Sequence, residues 1–392
     1  PDGVDVATHL VELYLKTKPN WTFVGQDARN AYNSISRRAI ARGLGRHFPE
    51  LLPWFKMSYG QHTHLRFRRE GDTIALLSKT GCRQGDPLGP FLYCVGIHDI
   101  LHQSQTDFPE VRIFAIMDDV HVAGPPGMAE DAALAIQRSL HTTCGVRSVF
   151  NADKNDGRFS PEGLFSEGSR HDHIPILSDG FVFGGKPFGS LSFKQAYLAK
   201  VLGRTTKQID LIKDLPPHIA CHLLRLCVVP QPVFYARCLT PEDSFPHAAR
   251  HHQLVQDCFF NDILGVTSTA LARTEMCTPA RFGGRGLTDQ SSLVQIAYFA
   301  SWALTLHIAM TLPLHEDVIR PLLDGTSALI PLHTYLRLFE NSGLSPPSSV
   351  RAAAEEPARL QQILSRRSAK QAFSLLVADT TMSGFHRGWL RS

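Results

Sequence analysis

The sequence predicts an α+β fold, in which a part that mixes strands and helices precedes a part made of helices alone. Short apolar runs between turn residues alternate with helical patterns up to about residue 190. Five long helical patterns follow, over 192–213, 216–228, 247–263, 291–312 and 357–376. At 392 residues the chain is long enough for two or three domains.

The composition excludes several classes of protein. With 43% hydrophobic and 19% charged residues, the chain can bury a large core and is not disordered. The net charge of +4 is compatible with an anionic partner but does not require one. None of the eight cysteines forms a C-x₂-C pair, which argues against a zinc ribbon, and their wide scatter argues against a disulfide framework.

The first predicted elements lead to an acidic residue. Residues 4–16 repeat apolar side chains at helical spacing, and Pro19 ends that helix. Residues 21–24 are typical of a short strand, which runs into Asp27. A basic helix is predicted over 34–46.

The next elements are a hairpin and a helix. Residues 62–79 are predicted to form the hairpin, with its turn at Gly71 and Asp72. Residues 88–104 are predicted to form an apolar helix after Pro87.

A second hairpin follows, whose turn carries two adjacent acids. Its strands are predicted over 111–117 and 120–123. An amphipathic helix is then predicted over 127–143, and a Gly-rich strand over 180–189.

One apolar segment has the length of a membrane span. No residue from 290 to 315 is acidic, Lys or Arg. Gln295 and Ser301 interrupt it, and acids flank it at Asp289 and Glu316 without a basic cluster at either end. A buried helix of a soluble domain is therefore the favoured interpretation.

Three carboxylates are candidates for chemistry. Asp27 lies at a strand end, and Asp118 and Asp119 lie at a predicted turn. Each alone is explained by the frequency of Asp in turns. Adjacent acids repel each other unless a cation lies between them, and a third carboxylate could complete a site for two divalent ions. Mg²⁺ prefers such oxygen ligands, and two such ions can support phosphoryl transfer.

The string GCRQGDPLGP over 81–90 is the second candidate feature. Its glycines and prolines predict a tight loop that opens into a helix. Gln84 can form hydrogen bonds, and Gly85 beside it would let a base or a backbone approach closely. A strand-to-helix turn without a ligand is the alternative.

Together, three motifs resemble the palm of a reverse transcriptase, in particular that of non-LTR (LINE-type) retrotransposons. They are DARNAYNS (27–34), CRQGDPLGP (82–90) and IMDDV (116–120). Weaker similarities extend the resemblance over nearly the whole chain, at NADKNDG (151–157), FGGKPFGS (183–190) and ARFGGRGL (280–287).

The resemblance implies catalytic roles for four residues. Asp27 and Asp118 would bind two Mg²⁺ ions, with Mn²⁺ as a possible substitute, and Asp119 would be a third carboxylate. Lys154 would donate a proton to the leaving pyrophosphate, although a solvated lysine is the alternative.

The resemblance also implies a nucleotide pocket. Tyr32 would lie under the sugar and disfavour ribonucleotides; a core aromatic is the alternative. Gln84 and Gly85 would line the nucleotide and template pocket. The backbone that would contact the triphosphate belongs to Ala28, Arg29, Asn30, Ala31 and Tyr32.

The same resemblance implies a domain layout. The expected parts are a remnant of the fingers (1–20), the palm (21–190), a helical thumb (191–290) and a C-terminal helical connection region (291–392). About twenty residues precede the first strand, so most of the fingers are expected to be missing. Residues 191–240 carry seven Lys or Arg against two Asp, which suits contacts with phosphates as well as a solvated helix face.

The function implied is that of an RNA-directed DNA polymerase of a non-LTR retrotransposon. A primer 3′-hydroxyl would attack the α-phosphorus of a dNTP. The expected partners are an RNA template, a DNA primer or target, and dNTPs, with no membrane. Endonuclease and nucleic-acid-binding modules of the same element are expected outside this chain, and the location is expected to be intracellular, in the nucleus.

Two alternatives stay open at this point. One is a catalytically inactive RNA-binding scaffold, or a decayed fragment, with the same fold. The other is a maturase of the intron type, which is also a reverse transcriptase and would continue into an RNA-binding and HNH region.

Overall fold

The computed structural model describes residues 2–69, 72–83, 85–154, 156–165, 169–327, 329–357 and 360–378. The chain divides into two compact units. The sheet unit comprises residues 14–189, and the helical unit comprises the described residues of 1–13 and 190–392. The first helix, α1 (Asp2–Thr17), passes from one unit into the other.

The sheet unit is built on an antiparallel sheet with the strand order β4-β5-β1-β6, and β7 also pairs with β1. Two separate hairpins, β2–β3 and β8–β9, accompany it. The strands are β1 (Thr22–Ala28), β2 (Thr63–Arg69), β3 (Asp72–Ser78), β4 (Arg112–Ile116), β5 (Asp119–Gly124), β6 (Ser148–Val149), β7 (Arg158–Phe159), β8 (Gly180–Phe183) and β9 (Lys186–Gly189).

One face of this sheet is covered by helices. Because side chains alternate along a strand, Val24, Val120 and Val122 point to the same face. They are buried in one core cluster with residues of the helices α2 (Ala31–Ser34), α3 (Arg37–His47), α4 (Leu52–Tyr59), α5 (Gly89–Asp107) and α6 (Met128–Ser139). The opposite face of the sheet carries Asp27 and Asp119.

Close contact between α3 and α5 depends on a glycine. A Cβ atom at Gly43 would lie 2.4 Å from the carbonyl oxygen of Val95. Ser36 begins α3, because its side chain accepts a hydrogen bond from the N–H of Arg38 (3.2 Å). The close approach at Gly43 lets α3, which follows the first motif, pack against α5, which begins at the end of the second motif.

The helical unit has a mostly apolar centre. Its helix α12 is buried on nearly all sides, with Trp302 completely buried. Besides the start of α1, its helices are α7 (Leu191–Ile212), α8 (Pro217–Leu223), α9 (Val233–Cys238), α10 (Pro241–Asp257), α11 (Ala270–Cys277), α12 (Val294–Ala309), α13 (Glu316–Leu323), α14 (Arg337–Asn341), α15 (Val350–Glu355) and α16 (Leu360–Ala378).

Among the residues that the structure describes, two helical stretches have the length and apolar composition of membrane spans, 217–238 and 291–309. Most of the second is buried within the unit, which is what the sequence predicted for the apolar segment 290–315.

The structure shows the mixed sheet-and-helix class that was predicted, with several local differences. Residues 180–189 form the hairpin β8–β9 and not a single strand, because Gly184 and Gly185 adopt positive φ values (56° and 83°) and reverse the chain. The predicted helix over 34–46 corresponds to α3 (Arg37–His47), and Ser34 is instead the last residue of the short helix α2. Of the predicted turn of the first hairpin, Gly71 lies outside the described residues, and Asp72 is instead the first residue of β3, paired with Arg69.

Candidate active site

Two of the candidate acids lie on neighbouring strands. β1 and β5 are antiparallel, with Gln26 opposite Val120. Continuing this register by one residue places Asp27 opposite Asp119, the first residue of β5. Opposite residues on paired strands project to the same face, so both carboxylates lie at one end of the face opposite the helices. On its other side, Asp27 pairs with Val149 of β6.

The third acid lies in the turn that joins β4 to β5. Ile116 pairs with Asp119, which leaves Met117 and Asp118 as a two-residue turn. Met117 has a φ of 58°, a left-handed conformation that costs free energy in a residue with a side chain. In this turn Asp118 lies at the tip of the hairpin, and Asp119 is the first residue of β5.

Tyr32 lies beside this turn. Its hydroxyl donates a hydrogen bond to Sδ of Met117 (3.3 Å). Burial, and then the charge of Asp118, raises the pKa of Tyr32 to about 12. The same two causes raise the pKa of Tyr93, whose ring centroid lies 5.2 Å from that of Tyr32. Both phenols therefore keep their protons at neutral pH, and both lie within the field of Asp118.

The chain between Asp27 and Tyr32 turns sharply. The N–H of Arg29 donates to the carbonyl of Arg147 (2.8 Å), which extends the pairing of β1 beyond Ala28. Asn30 has a left-handed conformation (φ 50°) and begins α2. Arg29 and Asn30 are exposed, whereas Ala28 and Ala31 are buried. The most exposed part of this segment is therefore its middle.

The loop of the second motif is fastened to α2. The N–H of Cys82 donates to the carbonyl of Tyr32 (2.7 Å), and the N–H of Gly81 donates to that of Ile35 (2.8 Å). A Cβ atom at Gly81 would lie 2.2 Å from the Tyr32 oxygen. The first and second motifs are therefore in direct contact.

Further along the loop, Gly85 is exposed, with a φ of 87°, and a Cβ atom there would meet nothing within 4 Å. The open space means that backbone conformation, not crowding, requires glycine at this position. Gln84 lies outside the described residues.

Four residues that the sequence did not single out hold this loop in place. Tyr59 donates a hydrogen bond to Asp86, whose other oxygen accepts from the N–H of Leu88 (2.9 Å) at the start of α5. The guanidiniums of Arg37 and Arg83 lie 5.3 and 4.8 Å from the centre of the Tyr59 ring. Of the four, only Asp86 had a local signal, an acid just before a predicted helix.

The donor set of the acids suits a hard divalent cation, because carboxylate oxygens are the ligands that Mg²⁺ prefers. Among the described residues, however, no group of three His, Cys, Asp or Glu side chains is close enough to hold a metal ion. The backbone of Lys154 belongs to a single turn (Ala152–Lys154), and its side chain lies outside the described part of the chain.

Comparisons with known proteins agree with the motifs. Residues 3–147 match the family model described as reverse transcriptase (RNA-dependent DNA polymerase). The chain is 32% identical, over 158 residues, to the retrotransposable element SLACS 132 kDa protein of Trypanosoma brucei gambiense. That match covers 38% of this chain and 13% of the relative.

Among solved structures, telomerase from Candida albicans, in complex with a fragment of telomeric RNA, is similar at 11% identity and a TM-score of 0.36. The similarity covers 81% of this chain and 52% of that one. The sequence matches therefore support a non-LTR reverse transcriptase domain, and the family match extends over residues 3–147.

Proposed function

We propose that the chain is an RNA-directed DNA polymerase that adds dNTPs to a primer 3′-hydroxyl on an RNA template. The observation that supports this most directly is the meeting of the motifs at one end of the sheet. Asp27 and Asp119 share a face across β1 and β5, and Tyr32 contacts the turn that carries Asp118. In this proposal the sheet unit is the palm.

Asp27 and Asp118 would hold two Mg²⁺ ions, with Asp119 as a further oxygen donor. When bound, these ions would lower the pKa of the primer hydroxyl and stabilise the charge that develops on the leaving oxygen. Arg29 and Asn30, which are the exposed residues of this segment, would contact the triphosphate. Lys154 would give a proton to the pyrophosphate.

Tyr32 would select the sugar. Its ring is partly exposed and is fixed by the Tyr93 ring and by Met117, so that it cannot move away from a bulkier ligand without breaking these contacts. A 2′-hydroxyl placed against a fixed ring would clash with it, whereas a deoxyribose would not. The pocket would therefore favour dNTPs.

The helical unit would act as the thumb. Lys200, Arg204 and Lys207 are exposed on α7 at spacings of four and three residues, which places them on one side of the helix. Cations on one helix face can contact successive phosphates without reading sequence. In this proposal α7 follows the backbone of the template–primer duplex.

The alternative is an RNA-binding scaffold without catalysis. It predicts the same binding surfaces but no nucleotide addition. One observation favours this alternative. Among the described side chains, no cluster of three potential ligands is arranged to hold a metal ion.

Primer extension separates the two functions. The chain is incubated with a primer annealed to RNA, dNTPs and Mg²⁺, with a matched DNA template and an EDTA arm as controls. Extension on RNA that EDTA abolishes supports the polymerase. Retention of the template–primer in a gel shift, without extension in Mg²⁺ or Mn²⁺, supports the scaffold.

A further inference from the structure

A glycine and a histidine face each other just behind the candidate acids. Gly25 of β1 pairs with His121 of β5. Because side chains alternate, Gly25 is on the same face as Asp27, and His121 is on the same face as Asp119. The pair therefore lies next to the two carboxylates, on the face of the sheet opposite the helices.

The imidazole takes the space that a side chain at position 25 would need. A Cβ atom at Gly25 would lie 2.5 Å from Nε2 of His121 and 3.0 Å from two of its ring carbons. Such distances are shorter than van der Waals contact, so the ring rests directly on the Gly25 backbone. A glycine is required because of the histidine opposite it.

The other side of the imidazole supports the hairpin β8–β9. Its ring centroid lies 5.5 Å from that of Phe181 and 4.6 Å from that of Phe183, both in β8. Phe181 also stacks on Phe23 of β1 (6.0 Å), two residues before Gly25. His121 thus separates this hairpin from β1 at the position closest to the acids.

Stability does not explain a histidine here. His121 is 3% exposed, and within the described part of the chain neither of its ring nitrogens has a hydrogen-bond partner. A buried polar group without a partner opposes folding, and an apolar side chain of similar volume would avoid that cost. Histidine instead provides a flat ring that fits between the Gly25 backbone and Phe183.

We propose that His121 is a positioning residue, whose imidazole sets the distance between the hairpin β8–β9 and the sheet beside Asp27 and Asp119. The inference rests on the proposed polymerase function, since the geometry that it fixes is that of the catalytic face. Displacement of the hairpin would alter the approach of the substrates to the acids without changing the acids themselves.

The first test replaces the imidazole by an apolar group of similar volume. His121→Leu is expected to raise the unfolding midpoint, to leave the Kd for template–primer unchanged and to slow extension at saturating dNTP about tenfold. An unchanged extension rate would overturn the proposal. So would a parallel loss of folded protein and activity, which is the signature of a purely structural role.

The second test asks whether the effect of a substitution at Gly25 depends on the side chain at position 121. Gly25→Ala alone should slow extension about tenfold, and the same change in a His121→Ala background should cause less than about a twofold further loss. Gly203→Ala is the matched control, because a Cβ atom there meets nothing within 4 Å. If the double variant loses extension rate by the product of the two single-variant losses, the two residues act independently, and the proposal is overturned.

Amide hydrogen exchange makes this coupling test independent of activity. Gly25→Ala should speed exchange in residues 180–189 in the wild-type background but not in the His121→Ala background. If the wild-type chain extends no primer, the polymerase proposal fails, and this exchange pattern still decides whether His121 positions the hairpin. Equal effects in both backgrounds would reject it.

Discussion

The hydroxyl of Tyr32 donates a hydrogen bond to Sδ of Met117, over 3.3 Å. This contact links the loop after β1 to the turn between β4 and β5, although 85 residues of chain separate them. It fixes the ring of Tyr32 next to Asp118, and the nucleotide sugar is proposed to bind there. Changes at Tyr32 should therefore alter which sugar is accepted.

Replacement of the Tyr32 ring should relax sugar selection. Tyr32→Ala is expected to raise the use of rNTPs relative to dNTPs by about tenfold or more, because the clash with a 2′-hydroxyl is lost. Tyr32→Phe keeps the ring and should keep the selection. The measurement is single-nucleotide extension with each nucleotide type. A Tyr32→Ala protein that extends primers with unaltered selection would show that Tyr32 is a core aromatic only.

The guanidinium of Arg37 should contribute to stability. It donates to the carbonyls of Gly81, Tyr59 and Gln61 (3.2 Å each) and to Oγ of Ser78 (2.9 Å). Arg37→Ala is expected to lower the free energy of unfolding by about 2 kcal/mol, since these half-buried acceptors lose a charged donor. Denaturant titration measures this.

The neighbouring Arg38 is the control for that experiment. Its side chain is exposed, so Arg38→Ala should change the free energy of unfolding by less than about 0.5 kcal/mol. Equal effects of the two substitutions would contradict the role given to Arg37 in holding the second-motif loop.

The turn at Met117 should be more stable with glycine. At a φ of 58° a side chain is strained, and Met117→Gly should raise the free energy of unfolding by about 0.5–1 kcal/mol. The gain is reduced by the larger entropy of the unfolded chain and by the lost Tyr32 contact. Thermal unfolding measures the change, and a clear decrease would show that the side-chain contacts of Met117 exceed the strain.

Cys82 should be unreactive despite its place in the second motif. Burial raises the pKa of its thiol to about 12, so the nucleophilic thiolate is scarce at pH 8. Cys227, by contrast, is exposed. Mass spectrometry after brief alkylation at pH 8 should find Cys227 modified and Cys82 unmodified in the folded protein. Comparable modification of both would contradict the burial of this loop.

Local patterns in the sequence identified most of the sheet unit. The strand that runs into Asp27 and the hairpin around Asp118 could be predicted because short apolar runs end at turn residues. The hairpin β8–β9 was missed, since its many glycines hide where one strand ends and the next begins.

The supports of the candidate site could not be predicted in the same way. The contacts of Arg37 with Tyr59 and Gly81, and of His121 with Gly25, join residues far apart in sequence. A local sequence pattern does not predict which distant backbone carbonyl an arginine will bind, or which glycine a buried ring will contact. The motifs identified the acids, whereas only tertiary packing shows what holds them.

The most direct test of the polymerase proposal is primer extension on an RNA template by the chain and by Asp118→Asn. The substitution removes the charge at the turn while keeping its shape, and Asp107→Asn, at an exposed helix end, is the matched control. We predict that the chain and Asp107→Asn extend the primer, and that Asp118→Asn is slower by about a hundredfold or more. Extension by Asp118→Asn at the rate of the unchanged chain would contradict the proposal.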